Sequence, residues 1–531
     1  MSQLTAFLFL ALSATLDGQA TAGATPPFEG FQRAKTRVSL SIEEVIRWAA
    51  QKNLAVVIEA VNREIAAKEI VAARATFDPY FNLSAAYLKN RDPSANVLNF
   101  SVNSPVVGVQ VNPTDTTQFK AGFRGLSPIG TTYQISLVET RTDSPRAGIF
   151  SLNPRYSTEA EVLLTQPLLK DAWLPFNMAV VRTAQNNLQL SREQLELTVI
   201  TAVYEVELAY WDLVFALKNF ESKQRALSVS REQLRIEQKK VEVGTKARID
   251  ITTAESQVAR RETEYDQSQA LLEDARDALL DRMNYIGTEE SLKRRGEQRN
   301  SGSPFEKYGD LAVFPTTEPT IGKIEVDRSK AVAAAFEQRI EYHQIDLQIK
   351  NQEIAVQSAR NQLLPALGLN AGWTQLGLDQ TLTDSTGRTF DGDFYDWSVG
   401  LVFEVPLSMR GPRAKYQNAR SLLQTFRIQK QNLENVIVLE VDKAIRDLDF
   451  ALRAVENYAR QVTYQEELLR AERVKLEVGK SIAYTVAEIE NDLIAVQALS
   501  LRARRDYEAA KAAYHRAVGD LLKKRGIDFG R

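Results

Sequence analysis

For chemistry the sequence offers few groups. Cysteine is absent from the 531 residues, and the two histidines, His343 and His515, stand far apart on helical patterns. Thiol catalysis, zinc–cysteine sites, a disulfide framework and an acylated N-terminal cysteine are thereby excluded. Both histidines read as helix-surface residues rather than as bases or ligands. No glycine-rich phosphate loop is present, and the carboxylates are spread as helix-surface charge. The acidic stretch DGDFYD at 391–396 carries oxygens suited to calcium, but it reads better as an exposed loop joining two strands. No catalytic site, metal or cofactor is expected.

What recurs instead is a break in helical sequence. KVEVGTKARIDITTAE, residues 240–255, returns as KLEVGKSIAYTVAEIE, residues 475–490. A glycine inside a helix costs about 1 kcal/mol relative to alanine, so a Val-Gly break placed twice marks a turn. Glycine supplies the left-handed C-cap of the first helix. Asp250, at the start of the next, meets the positive end of that helix. In the second copy Glu488 and Asp492 share one helix face.

The elements that must position these turns come in two copies. Pro167 to Gly244 spans 77 residues (244 − 167), and Pro406 to Gly479 spans 73 (479 − 406). Closing glycines, Gly287 and Gly519, follow 43 and 40 residues later. Such regular spacing indicates an internal duplication. The expected first repeat is 23–287, with strands within 80–166, a long helix 176–243 and a return helix 250–286. The second is 328–522, with strands within 366–405, a long helix 412–478 and a return helix 485–519. A segment without periodicity, 288–327, joins them, and 523–531 forms a tail.

Within each repeat, periodicity and prolines separate the element types. Ser41 to Glu44 form a capping-box start for a helix that runs to Pro79. Phe81, Leu83, Ala85 and Tyr87 alternate along one face, as do Leu367, Leu369, Ala371 and Trp373, and Trp397 to Val405. That period of two is the strand signal. Leu195, Val199, Ala202, Val206, Ala209 and Leu213 make a narrow seam on the first long helix; Leu433, Ile437, Val441, Ala444, Leu448 and Ala451 make one on the second. Seams of this spacing belong to coiled coils. Each long helix extends about 100 Å, and two shorter helices end to end match it.

Lysine plus arginine number 66 against 68 aspartates and glutamates, so no basic excess points to nucleic acid. Residues 1–22 carry an apolar run, Leu4 to Leu16, and an Ala-Thr-Ala at 20–22. This reads as a signal peptide lacking a basic start, or else as a disordered tail. With a mean hydropathy of −0.28 and no other apolar run near about 18 residues, any membrane entry must be by strands. Four principal strands cannot close a barrel, since single-chain barrels begin at about 8. Three chains would bring twelve strands and twelve helical columns. The extra residues 89–155 are either an extracellular hairpin, the favoured reading, or two more strands per chain.

Three stretches then carry a resemblance: LSIEEVIRWAAQKNLAVVIEAVNREIAAKEIVAARATFDP at 40–79, LLTQPLLKDAW at 163–173 and VEVGTKARIDITTAESQVA at 241–259. The chain resembles the TolC-like outer-membrane efflux proteins over nearly its whole length. That resemblance implies a homotrimer, mainly α, with a 12-stranded β-barrel in the outer membrane continuous with a 12-helix periplasmic α-barrel. It implies an exit duct in contact with outer-membrane lipid, fed by an inner-membrane transporter through a periplasmic adaptor protein. It places Gly244, Thr245, Lys246, Gly479 and Lys480 at an adaptor-docking tip. It places Asp250 near a periplasmic gate, where the second copy departs from the pattern: Thr485 holds the aspartate position and Glu488 follows. Threefold symmetry would turn lumen-facing Asp250, Glu488 or Asp492 into acidic rings that favour cations. Capping alone for Asp250, and a solvated outer face for the other two, are the plainer readings. The segment 288–327 would pack outside the α-barrel near mid-height. A soluble coiled-coil scaffold without a pore is the alternative; it explains the seams but not the strands or the duplication. The transported substrate and the class of pump are not written in these residues.

Overall fold

The computed structural model describes residues 36–94, 110–144, 152–245, 247–283 and 311–527. The expected signal segment, Gly287, the first part of the inter-repeat segment (288–310), Lys246 and the last four residues lie outside the described residues. In chain order the elements begin with β1 (Thr36–Leu40), α1 (Ile42–Lys52), α2 (Leu54–Arg74), β2 (Tyr80–Ser94), β3 (Gln110–Leu126), β4 (Thr132–Asp143) and β5 (Arg155–Pro167). Next come α3 (Trp173–Asn177), α4 (Ala179–Glu242), α5 (Arg248–Arg282), β6 (Leu311–Pro315), α6 (Arg328–Gln338) and α7 (Ile340–Asn361). The chain closes with β7 (Ala366–Asp379), α8 (Leu382–Asp391), β8 (Tyr395–Glu404), α9 (Arg410–Glu477), α10 (Ala483–Val518) and α11 (Leu521–Lys524). They form two compact units: residues through Asn53 with Ala202–Glu325 and Arg446–Ala513, and Leu54–Thr201 with Val326–Ile445 and Tyr514 onward.

The second of these units carries one antiparallel sheet of six strands, ordered β2-β3-β4-β5-β7-β8. The expectation of four strands per chain is corrected here. β3 and β4 belong to the segment read as an extracellular hairpin, yet β3 pairs with β2 from end to end and β4 pairs with both β3 and β5. Their backbone groups are satisfied by the ladder itself, which a hairpin standing clear of the sheet would not achieve. Gly122 lets β3 lie close to β4: a Cβ there would stand 2.6 Å from the Ile135 carbonyl oxygen.

The register makes the sheet two-faced. Phe81, Phe123, Ile135, Val162, Trp373 and Trp397 are paired in turn across all six strands and share one face. The neighbouring row on the opposite face reads Asn82, Gly122, Ser136, Glu161, Thr374 and Asp396. On that polar face Ser136 Oγ donates to Glu161 at 3.1 Å. The apolar row is uncovered in the single chain, with Trp397 71% exposed. Among the described residues the outer edges of β2 and β8 are unpaired.

The helices of this unit explain where the chain turns. The pattern before Pro365 is broken at Arg339, whose extended backbone (ψ 125°) ends α6 and starts α7. Arg339 is buried and donates to Glu341 at 3.0 Å and Glu440 at 2.5 Å. Burial alone would raise the Glu341 carboxyl; the bonds and charge of Arg339 outweigh it and hold it below the usual carboxylate range. Ala331, Ala335, Ile437, Val441, Ala444, Ala517 and Val518 form the adjoining core. Gly519, at φ +88°, ends α10 against Gln338, where a Cβ would stand 3.1 Å from backbone.

In the first unit Ser41 and Glu44 form the capping box of α1. Its helix stops at Asn53, in extended conformation, whose side-chain amide donates to the Arg282 carbonyl at 3.0 Å. The single helices expected before Pro79 and Pro365 are therefore each two helices. The inter-repeat segment holds a strand that periodicity did not reveal: β6 pairs in parallel with β1. Buried Tyr210 locks this pair, donating from its hydroxyl to the Leu40 carbonyl (3.1 Å) and accepting from the Thr317 amide (3.0 Å). Along the long helices the seam residues Val199, Val206, Leu213, Ile437 and Val441 are each 0% exposed.

Candidate functional site

The two Val-Gly turns lie in the first unit and have the same construction. Gly244 adopts φ +77° and Gly479 φ +74°, the left-handed region that favours glycine. In each turn the amide after the glycine reaches back five residues: Thr245 to the Lys240 carbonyl at 2.9 Å, and Lys480 to the Lys475 carbonyl at 2.8 Å. This is the Schellman closure of α4 and α9. Thr245 adds a side-chain bond to the same Lys240 carbonyl at 2.8 Å. Gly244, Thr245, Gly479 and Lys480 are all exposed.

The acidic candidates distribute differently. Asp250 sits in the first turn of α5, half-buried, with its amide bonded to the Ala247 carbonyl at 3.1 Å. Thr485 is half-buried in the first turn of α10, and Glu488 and Asp492 are exposed one and two turns on. Among the described residues no group of three or more His, Asp or Glu gathers to hold a metal ion. His343 contacts the Glu337 carbonyl at 2.9 Å, and His515, in the last turn of α10, faces Asp520 at 2.8 Å.

Sequence reasoning missed the residues that stiffen the tips. Seven positions before each glycine stands a buried glutamate, Glu237 or Glu472, bonded to the lysine three residues on: Lys240 at 3.2 Å, Lys475 at 2.9 Å. Ser481, past the second turn, donates to Glu472 at 2.6 Å and ties the return chain to α9. That bond, then the Lys475 ammonium, lowers the Glu472 carboxyl from its ordinary value. The repeated Glu-x-x-Lys-x-Glu-Val-Gly was the signal available in the sequence. Farther from the turns, buried Arg261 on α5 bonds to Asn491 on α10 and to Glu264, which also accepts from Lys223 at 3.0 Å. This links the hairpin of α4 and α5 to that of α9 and α10. Around the turns themselves Val243, Ile249, Val478, Ile482 and Tyr484 are exposed, an apolar fringe no core requires.

No described helix is long and apolar enough to cross a membrane. The sheet, apolar on one face and polar on the other, has the pattern of a lipid-facing barrel wall. The same chain carries long, seam-packed helices that end in closed turns. Residues 332–520 match the family model described as outer membrane efflux protein. Over 466 residues the chain is 24% identical to the outer membrane efflux protein BepC of Brucella suis biovar 1, covering 86% of this chain and 91% of that one. It is similar to the solved CmeC outer membrane channel of Campylobacter jejuni at TM-score 0.62, 14% identical, covering 92% of this chain and 90% of that one. VceC of Vibrio cholerae gives 0.60 at 14% (90% and 96% covered), and the MtrE channel of Neisseria gonorrhoeae 0.60 at 15% (91% and 89%). The chain has a TolC-like fold, and its residues 332–520 carry the pattern of the outer membrane efflux proteins. The family is one of channels rather than enzymes, and its place is the outer membrane.

Proposed function

We propose that the chain acts as a homotrimer in which β8 of each protomer pairs with β2 of the next. The observation that carries this is the two-faced sheet with both outer edges open. Six antiparallel strands alternate in direction, so β8 and a neighbouring β2 are antiparallel when every copy faces the same way across the membrane. A head-to-tail ring then closes without leaving an edge. Three such sheets bring eighteen strands in place of twelve, and barrel width grows roughly in proportion to strand number.

The chain is an outer-membrane exit duct for efflux; a coiled-coil scaffold without a pore has no use for this sheet. Its tandem repeats, 23–287 and 328–522, would each supply helical hairpins reaching into the periplasm. The exposed turns, with Gly244, Thr245, Lys246, Gly479 and Lys480 and their apolar fringe, form the docking tip for a periplasmic adaptor that couples the duct to an inner-membrane transporter. Asp250, Thr485, Glu488 and Asp492 line the closable entrance. Nucleic acid is no part of this reading, and the acyl chains of the outer membrane cover the apolar face.

Edge pairing is tested by cross-linking, since the chain has no native cysteine to interfere. Leu83→Cys on β2 is combined in turn with Val399→Cys, Leu401→Cys or Phe403→Cys on β8. Mild oxidation of purified protein in detergent should yield covalent dimers and trimers for at least one combination. Monomers in every register, together with the detergent-corrected mass of one chain, would discard the ring.

A further inference from the structure

The connection between β7 and β8 holds a helix with no counterpart in the other connections described. Thr381 caps α8, accepting from the Asp384 amide at 3.2 Å, and Gly392 ends it at φ +82°. The face it covers follows from the register. Ala85, Phe119, Glu139, Thr158 and Gly377 are paired in turn and lie two rows beyond the Phe81–Trp397 row, on the same apolar face. α8 packs on this row through Ser385 and Thr389, both 0% exposed. The Ser385 hydroxyl meets that of Thr158, and Thr389 donates to the Thr158 carbonyl at 3.1 Å. Thr158 in turn donates to Glu139 at 2.5 Å. Gly377 admits the helix: a Cβ there would stand 2.0 Å from the Ser385 carbonyl oxygen. Arg388 pairs with Asp379 at the end of β7, at 2.7 Å.

The polar residues on that row would be costly against lipid; the helix covers them where the apolar face gives out. The row lies at the strand ends away from α7 and α9, hence at the outer rim of the barrel. One flank of α8 leaves Leu382 and Phe390 exposed, and Phe394, Tyr395 and Trp397, which follow it in the chain, are exposed as well. The other flank carries Asp384, Arg388 and Asp391. An apolar flank, a charged flank and aromatic neighbours at a membrane rim are the pattern of an interfacial helix.

Resting on the outer-membrane reading above, we propose that α8 lies on the outside of the barrel and binds the outer-leaflet surface, with Leu382 and Phe390 inserted at the boundary between headgroups and acyl chains. It is continuous with the lipid-covered face of the sheet and fixes how deep the barrel sits. The test uses single cysteines carrying a nitroxide label at Leu382, Phe390, Arg388 and, as a strand reference, Val399. The full-length protein is reconstituted in phosphatidylethanolamine–phosphatidylglycerol vesicles, and collisions with dissolved oxygen are compared with those of a water-soluble nickel chelate. Labels at 382 and 390 should show a several-fold higher oxygen-to-chelate ratio than the label at 388, and a lower one than at 399. Gly377→Val, which lifts the helix, should move the 390 label toward the 388 value. If 382 and 390 match 388 while 399 stays shielded, α8 is an aqueous loop and the proposal fails although the barrel stands. If 399 is equally open to the chelate, the membrane reading fails and takes the proposal with it.

Discussion

Single residues govern the tips. No atom lies within 4 Å of the Cβ that Gly244 or Gly479 would carry, so nothing but backbone conformation demands glycine there. Gly479→Ala should cost about 1 kcal/mol through its left-handed φ, and Gly479→Asn less. The expected result is faster amide hydrogen exchange in the last turn of α9 and first turn of α10, with the rest unchanged; uniform acceleration would show that the turn anchors more than itself. These glycines could be read from sequence because a glycine inside helical sequence has so few uses. The bonds of Arg261 to Asn491 and of Tyr210 to Leu40 could not, because their partners lie far along the chain and only the fold brings them together. Glu472 was within reach, since its lysine partner is three residues away and its motif is repeated.

At the scale of elements, strands whose side chains alternate strictly were legible: β7 and β8 follow from Leu367, Leu369 and Trp373, and from Trp397, Val399 and Leu401. β3 was harder to place because Gly122 and Gly125 interrupt its alternation and Pro113 lies within it, features that suit a loop equally well. α8 has ten residues, Gly387 among them, and buries a serine and a threonine, so hydrophobic periodicity had nothing to register. The breaks at Asn53 and Arg339 are made without proline or glycine. At the second, Arg339→Met is expected to cost about 2 kcal/mol, below the range for a fully buried pair because both carboxylates stay partly in water. The variant also changes the pH dependence. In the native protein the depressed Glu341 pKa gives stability that is present above the unfolded value of about 4.3 and lost as pH falls through the folded one. Without Arg339, burial dominates and the Glu341 pKa rises above its unfolded value, so acidification relieves the strain. Thermal unfolding in detergent should show the deficit of the variant shrinking from pH 7 toward pH 4; a constant deficit would mean that Arg339 acts only by packing.

For the whole molecule the decisive quantity is current. If Asp250 and Glu488 face the entrance of a threefold duct, each is present three times around the axis. Asp250→Ala and Glu488→Ala should each lower the preference for cations in planar bilayers, and Asp250→Ala should raise the conductance of the closed state. Unchanged currents in both variants would leave Asp250 as a helix cap and Glu488 as surface charge. The seams and the turns were legible because the same landmarks stand twice in the sequence. The number of strands was not, because the segment that adds β3 and β4 occurs in one copy alone.

One small feature bears on how the chain is made. β1, at residues 36–40, has as its parallel partner β6, at residues 311–315. A strand made early in synthesis must therefore wait until about half the polypeptide has followed it. Closing so long a loop is entropically expensive and slow, and in the interval β1 offers unsatisfied backbone to any passing chain. The pairing of this strand is thus among the late steps in the folding of its unit, set by the arrival of residues 311–315.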